Sequence, residues 1–162
     1  LKWALFALVC VAALVVQDSL FSRVTIFGGW LDLAPVMIVL ICVIQGPQSG
    51  SVFALVGSLV YVFSGSAQDR YCVALLTLAA VLATAFRQSY LRRGAGSDLI
   101  CVGGAMVLYE MAVFTAGVLQ GLTYRGRWGV FLMTAIISTL TAGAVYALLK
   151  YIGTIGGNAW KE

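Results

Sequence analysis

The chain has 162 residues, of which 62% are hydrophobic and 10% charged, and it contains no histidine; its mean hydropathy is +1.01. About a quarter of the residues in an ordinary soluble domain are charged, so this composition belongs to integral membrane proteins. The missing imidazole excludes Ser-His and Cys-His nucleophile pairs, histidine metal ligation and the usual general base near neutral pH.

Apolar segments of about 13 to 24 residues recur along the chain. Five or six spans with short connections use nearly all of it, which predicts one transmembrane domain over 1–162 and an all-α fold. The first segment, 2–21, is interrupted late by Gln17 and Asp18 and reaches roughly 30 Å. Its apolar run lacks a small-x-small cleavage site, so it reads as a retained helix and not a leader peptide. The stretch 24–31 contains Gly28, Gly29 and Trp30 and reads as a surface loop at the membrane interface.

The second segment, 33–45, opens with Asp32 as a capping carboxylate and with Pro35 in its first turn, where a missing N–H costs nothing. At roughly 18 Å it is short enough to be re-entrant, although bilayer thinning and tilt of its neighbours absorb such a mismatch. Gln45, Gly46 and Pro47 form a tight turn into the third segment, 47–63. A polar turn over 64–70 leads to the fourth, 71–86, which stops at Arg87, Arg92 and Arg93. Asp98 is placed to cap the fifth, 98–122, and the sixth runs over 130–152.

The Arg87, Arg92 and Arg93 cluster is the strongest topological mark and assigns its hairpin to the cytoplasm. Six spans with a cytoplasmic N-terminus put Lys2, Arg87, Arg92, Arg93, Lys150 and Lys161 inside, against Arg23, Arg70, Arg125 and Arg127 outside. Five spans with the N-terminus reversed give the same split. Basic loops therefore account for the net charge of +4, which carries no indication of nucleic acid.

Cys10, Cys42, Cys72 and Cys101 lie in or beside apolar runs without C-x-x-C spacing, as small packing residues do. Close helix contact in lipid needs small residues, and two segments present them every four positions. In the third segment these are Gly46, Gly50, Ala54 and Ser58 with Gly57 alongside; in the sixth, Ala135, Thr139, Gly143 and Ala147. Packing inside the bundle and contact with another membrane protein are both open for these faces.

Glu110 falls near mid-membrane, where a bare carboxylate costs several kcal/mol. With no Lys or Arg at matching depth, hydrogen bonds from Ser138, Thr139, Thr141 or a tyrosine are expected. Its role is a structural polar contact, a partner contact or ion handling. Paired carboxylates, phosphate-cradling loops and calcium-loop patterns are missing, and Gly103-Gly104 carries no nucleotide fingerprint. No catalytic site, cofactor or metal is predicted.

From Pro35 to Arg93 the pattern resembles the bacterial rod shape-determining MreD family. The shared features are a short helix opened by proline, the Gly46 and Gly50 turn, a third helix carrying Gly57, the Ser64-Gly65 turn and a helix ending in basic residues. Two positions depart: the polar residue often following the proline is Val36 here, and the acidic residue often closing the third helix falls near Tyr61. The resemblance implies a six-transmembrane-helix bundle like the S-components of energy-coupling-factor vitamin transporters, held in the bacterial cell membrane with both termini cytoplasmic. It implies a non-enzymatic scaffold of the elongation machinery in peptidoglycan synthesis. The implied partners are an MreC-like single-span protein and, through it, the MreB filament, RodA and penicillin-binding protein 2.

The rival reading is an S-component itself. Such subunits often carry an Ala-x-x-x-Ala face on the first helix, and none of Ala4, Ala7, Ala12 and Ala13 is followed by alanine four residues on. A lipid-modifying enzyme is the weaker rival, because Glu110 is the only well-buried acid expected.

Overall fold

A computed structural model describes residues 2–21, 25–26, 28–65, 67, 69–91 and 94–155, with side chains described over 7–19 and, from 28 onward, to 149. Six helices dominate: α1 (Lys2–Val16), α2 (Leu33–Gln45), α3 (Pro47–Phe63), α4 (Cys72–Tyr90), α5 (Ala95–Leu119) and α6 (Trp128–Ile155). A π-helical turn, Gln17–Phe21, continues α1. Two-residue strands β1 (Thr25–Ile26) and β2 (Gly29–Trp30) pair antiparallel, with Thr25 opposite Trp30 and Ile26 opposite Gly29.

Three helices, α4, α5 and α6 with the short 3₁₀ turn before it, are long and apolar enough to cross a membrane, which makes this a membrane protein. The outer surface agrees with that solvent. Leu8 and Val15 on α1, Val56 and Phe63 on α3, Leu82 on α4, Leu108 on α5 and Leu140 on α6 are all exposed. Helices α1, α2 and α3 have 15, 13 and 17 residues, and at 1.5 Å per residue all three fall short of the roughly 30 Å hydrocarbon layer.

The architecture is an open arc of helices around a post. Helix α3 packs on α4, α4 on α5 and α5 on α6, while α2 touches α1 and all four of these. The sequence allows this because α2 is apolar on every side. Ten consecutive residues, from Ala34 to Val43, are buried, and Ile38, Val39, Leu40, Ile41, Cys42 and Val43 have no accessible surface.

The chain reverses between α2 and α3 in one residue. Gly46 has φ +88°, a conformation that L side chains rarely adopt, and Pro47 occupies the first turn of α3. The reversal lays α3 directly on α2: a β-carbon at Gly50 would stand 2.5 Å from the Cys42 carbonyl oxygen, and one at Gly57 3.0 Å from Ile38.

Several ends differ from the sequence expectation. Helix α4 runs four residues past 86, since Arg87 turns inward and does not terminate the helix. Helix α5 starts at Ala95, capped by Gly94, so Asp98 lies inside its first turn with its carboxylate engaged elsewhere. The 24–31 stretch is not wholly a surface loop. Gly29 and Leu31 are buried, and the Trp30 N–H donates to Thr134 Oγ1 on α6 at 3.2 Å. The bare Gly29 permits this approach, as a β-carbon there would meet the Thr134 nitrogen at 2.9 Å.

Candidate functional site

The polar interior is divided between the two ends of the bundle. At the end where α1 finishes and α2 begins, Asp32 is the residue before α2, yet its carboxylate makes no capping bond. Gln17 replaces it in that role. Its side-chain carbonyl accepts the Ala34 N–H at 2.8 Å, and its amide nitrogen donates to Asp32 Oδ1 at 3.2 Å. The Asp32 N–H in turn donates to Ser138 Oγ on α6 at 3.1 Å. The first turn of α2 is thus tied to the π-helical turn and to α6.

Freed from capping, the Asp32 carboxyl lies beside the carboxyl of Glu110 on α5. Glu110 is 2% exposed, and its Oε1 has no hydrogen-bond partner. Two carboxylates are both acceptors, so their contact needs one proton between them. Gln17 Nε2 donates to Asp32, whereas no donor is directed at Glu110 Oε1. The hydroxyls of Tyr61 on α3 and Tyr109 on α5 and the Cys72 thiol lie within electrostatic range.

This arrangement corrects the expectation for Glu110. Ser138 accepts from the Asp32 backbone, Thr139 donates to the Ala135 carbonyl and Thr141 to the Ser138 carbonyl. The Thr139 and Thr141 hydroxyls are spent within α6, and Ser138 Oγ is bonded to the Asp32 backbone. Sequence reasoning missed Asp32 because the start of a helix is the ordinary place for a capping carboxylate. The available signal was Gln17, a second polar group at the same depth and able to cap in its place.

At the other end Arg87 on α4 forms an ion pair with Asp98 on α5. It also donates from Nη1 to the Val43 carbonyl at the last turn of α2, at 2.6 Å. Tyr146 on α6 donates to Asp98 Oδ2 at 3.4 Å. Four helices are fastened there. Arg87 thus reaches into the bundle, while Arg92 and Arg93 lie outside the described residues.

Of the small-residue positions, Gly50 and Gly57 are covered by α2, Ala54 is fully buried, and Ser58 shares a 2.9 Å hydrogen bond with Thr77 on α4. Gly46 makes the turn. Along α6 the row rotates outward: Ala135 is buried, Thr139 packs against Gly103 of α5, Gly143 has open space around it and Ala147 is exposed.

A groove of about 540 Å³ runs between α4 and α5 on the outside of the bundle. Ala83, Gly104 and Ala105 lie along it with Phe86, Tyr90 and Leu108. The four cysteines are free and buried, and among the described residues no three metal-ligating side chains cluster.

Fold and site together define a helical membrane protein with a buried helix, α2, among the others and a polar junction at each end. A scan of protein-family models and searches of curated proteins and of solved structures found no match.

Proposed function

We propose that the chain is a non-enzymatic scaffold of the bacterial cell-elongation machinery, a six-span bundle in the cell membrane with both termini in the cytoplasm. It engages an MreC-like single-span protein through helix faces, and through that protein the MreB filament, RodA and penicillin-binding protein 2. The carrying observation is the position of α2. Its buried side chains occupy the centre of the bundle, the place where a captured small molecule would be enclosed.

The large concavity between α4 and α5 instead opens to the outside and is apolar, as suits contact with lipid or a helix. The ion pair and carboxyl pair are turned into helix junctions, which fits a body that holds shape while partners bind its surface. The pattern from Pro35 to Arg93 supports the same reading.

The test is affinity purification from the native membrane, followed by depletion in growing cells. Recovery of a single-span coiled-coil partner, with rods rounding on depletion, is the expected result. Tight binding of thiamine, riboflavin or biotin by the purified chain, with transporter ATPases co-purifying, would replace the scaffold by an S-component.

A further inference from the structure

We propose that the connection between α5 and α6 is a docking surface for anionic membrane lipid, with Arg125 and Arg127 holding lipid phosphate at the headgroup layer. Helix α5 has 25 residues, about 38 Å, so it overshoots the roughly 30 Å hydrocarbon layer and its ends reach the headgroups. Of the ten residues from Leu119 to Trp128, all but Thr123 are exposed. Leu119 is 83% and Tyr124 78% exposed, and Leu122 and Trp128 are bare as well. Water is a poor neighbour for the two leucines, while Tyr and Trp rings favour the headgroup level, where an apolar body and a polar tip both find partners.

The charge of the connection selects the lipid. The same ten residues contain two arginines and neither Asp nor Glu. Among the described residues no ion pair or side-chain hydrogen bond engages either guanidinium, in contrast to Arg87, which is spent on Asp98 and the Val43 carbonyl. A guanidinium fork matches the oxygens of a phosphate. An anionic lipid offers that phosphate and an acyl chain in one molecule, as cations beside bare leucines require. A zwitterionic lipid brings a cation too, and nothing acidic in the connection meets it. Both leaflets present phosphates, so the site is independent of orientation.

The connection is folded onto α5 and presents these side chains from a defined backbone. The Leu122 and Thr123 N–H groups both donate to the Gly117 carbonyl, at 2.9 and 3.1 Å, by way of Gly121 at φ +72°. Thr123 sits so close to Gly117 that a β-carbon there would stand 2.5 Å from its Oγ1. Tyr124 lies against Gly126, where a β-carbon would meet the ring at 2.8 Å. The phenol ring is thereby set at the glycine that separates the two arginines.

The experiment places the full chain in mixed bilayers of phosphatidylglycerol and phosphatidylcholine, with brominated acyl chains on one lipid or on the other. Bromine quenches tryptophan on contact, and Trp3→Phe, Trp30→Phe and Trp160→Phe together leave Trp128 as the reporter. At equal mole fraction phosphatidylglycerol should be preferred on the order of fivefold per arginine at low salt, and the preference should fall as salt rises. Arg125→Gln and Arg127→Gln should each remove one such factor and together abolish the preference. Arg70→Gln, exposed at the same end but outside the connection, should leave it unchanged.

If the triple Phe variant fails to fold, the quenching that the otherwise wild-type chain loses in Trp128→Phe carries the same comparison. Equal quenching by the two lipids, a preference that survives in the folded double arginine variant, or an equal loss with Arg70→Gln each overturns the proposal. So does an acidic protein held by the wild-type chain and lost by the double variant when neither lipid is preferred.

Discussion

Gly50→Ala isolates the contact that sets α3 against α2. The added methyl would lie 2.5 Å from the Cys42 carbonyl oxygen and 3.0 Å from both Cys42 Cα and Sγ. The nearest of these atoms is backbone, held in the buried stretch of α2, so no side-chain rotation relieves the clash. Separating the helices to an ordinary contact requires a shift on the order of 1 Å at a close-packed seam of the bundle.

Alanine regains up to about 1 kcal/mol of helix propensity, while overpacking costs about 1–3 kcal/mol, and more where backbone must move. The net expectation is a loss of about 1–2 kcal/mol, or a midpoint lower by roughly 3–6 °C for a chain of this length. Gly143→Ala provides the control. Open space surrounds that position, so only the propensity gain remains and the midpoint should rise slightly. Both variants are read by reversible thermal or denaturant unfolding in detergent. A Gly50→Ala protein as stable as Gly143→Ala would refute the packing argument.

Arg87→Ala leaves the carboxylate of Asp98, 4% exposed, without its cation and should cost about 3 kcal/mol; adding Asp98→Asn should recover more than half of that loss in a double-mutant cycle. Gln17→Ala removes both the Ala34 cap and the Asp32 donor and should cost about 1–2 kcal/mol in the same unfolding assay. Cys10, Cys42, Cys72 and Cys101 are all buried, so maleimide should label none of them until the folded protein is denatured. Labelling of Cys42 or Cys72 in the native state would contradict the buried placement of α2 and the start of α4.

The helical class and the Gly46-Pro47 reversal were legible because they are local properties: apolar length, a positive-φ glycine and a proline in a first turn. Polar pairing was not local. Hydropathy gives a residue's depth, but the direction in which it points depends on how each helix is rotated. Depth alone assigned Glu110 to mid-membrane and left its partner open. Asp32 and Asp98 carried strong capping signals at helix starts, and in both cases tertiary contacts took the carboxylate away. Gln17, read as an interruption, supplies the cap that Asp32 gives up. The small-residue rows marked where close approach is possible without saying which neighbour arrives, so α3 and α6 read alike although one is covered by α2 and the other turns outward.

The enclosed position of α2 has a consequence for how the molecule is made. It leaves the ribosome before α4, α5 and α6, the helices that later surround it. At 13 residues it is about 20 Å long, too short to rest comfortably across a bilayer unaided. Until its enclosure is synthesised, the growing chain must keep α2 in a provisional lodging, paired with α3 or sheltered by the insertion machinery. Final closure therefore waits on the C-terminal half, and truncations within α5 or α6 leave the earliest-made core without walls.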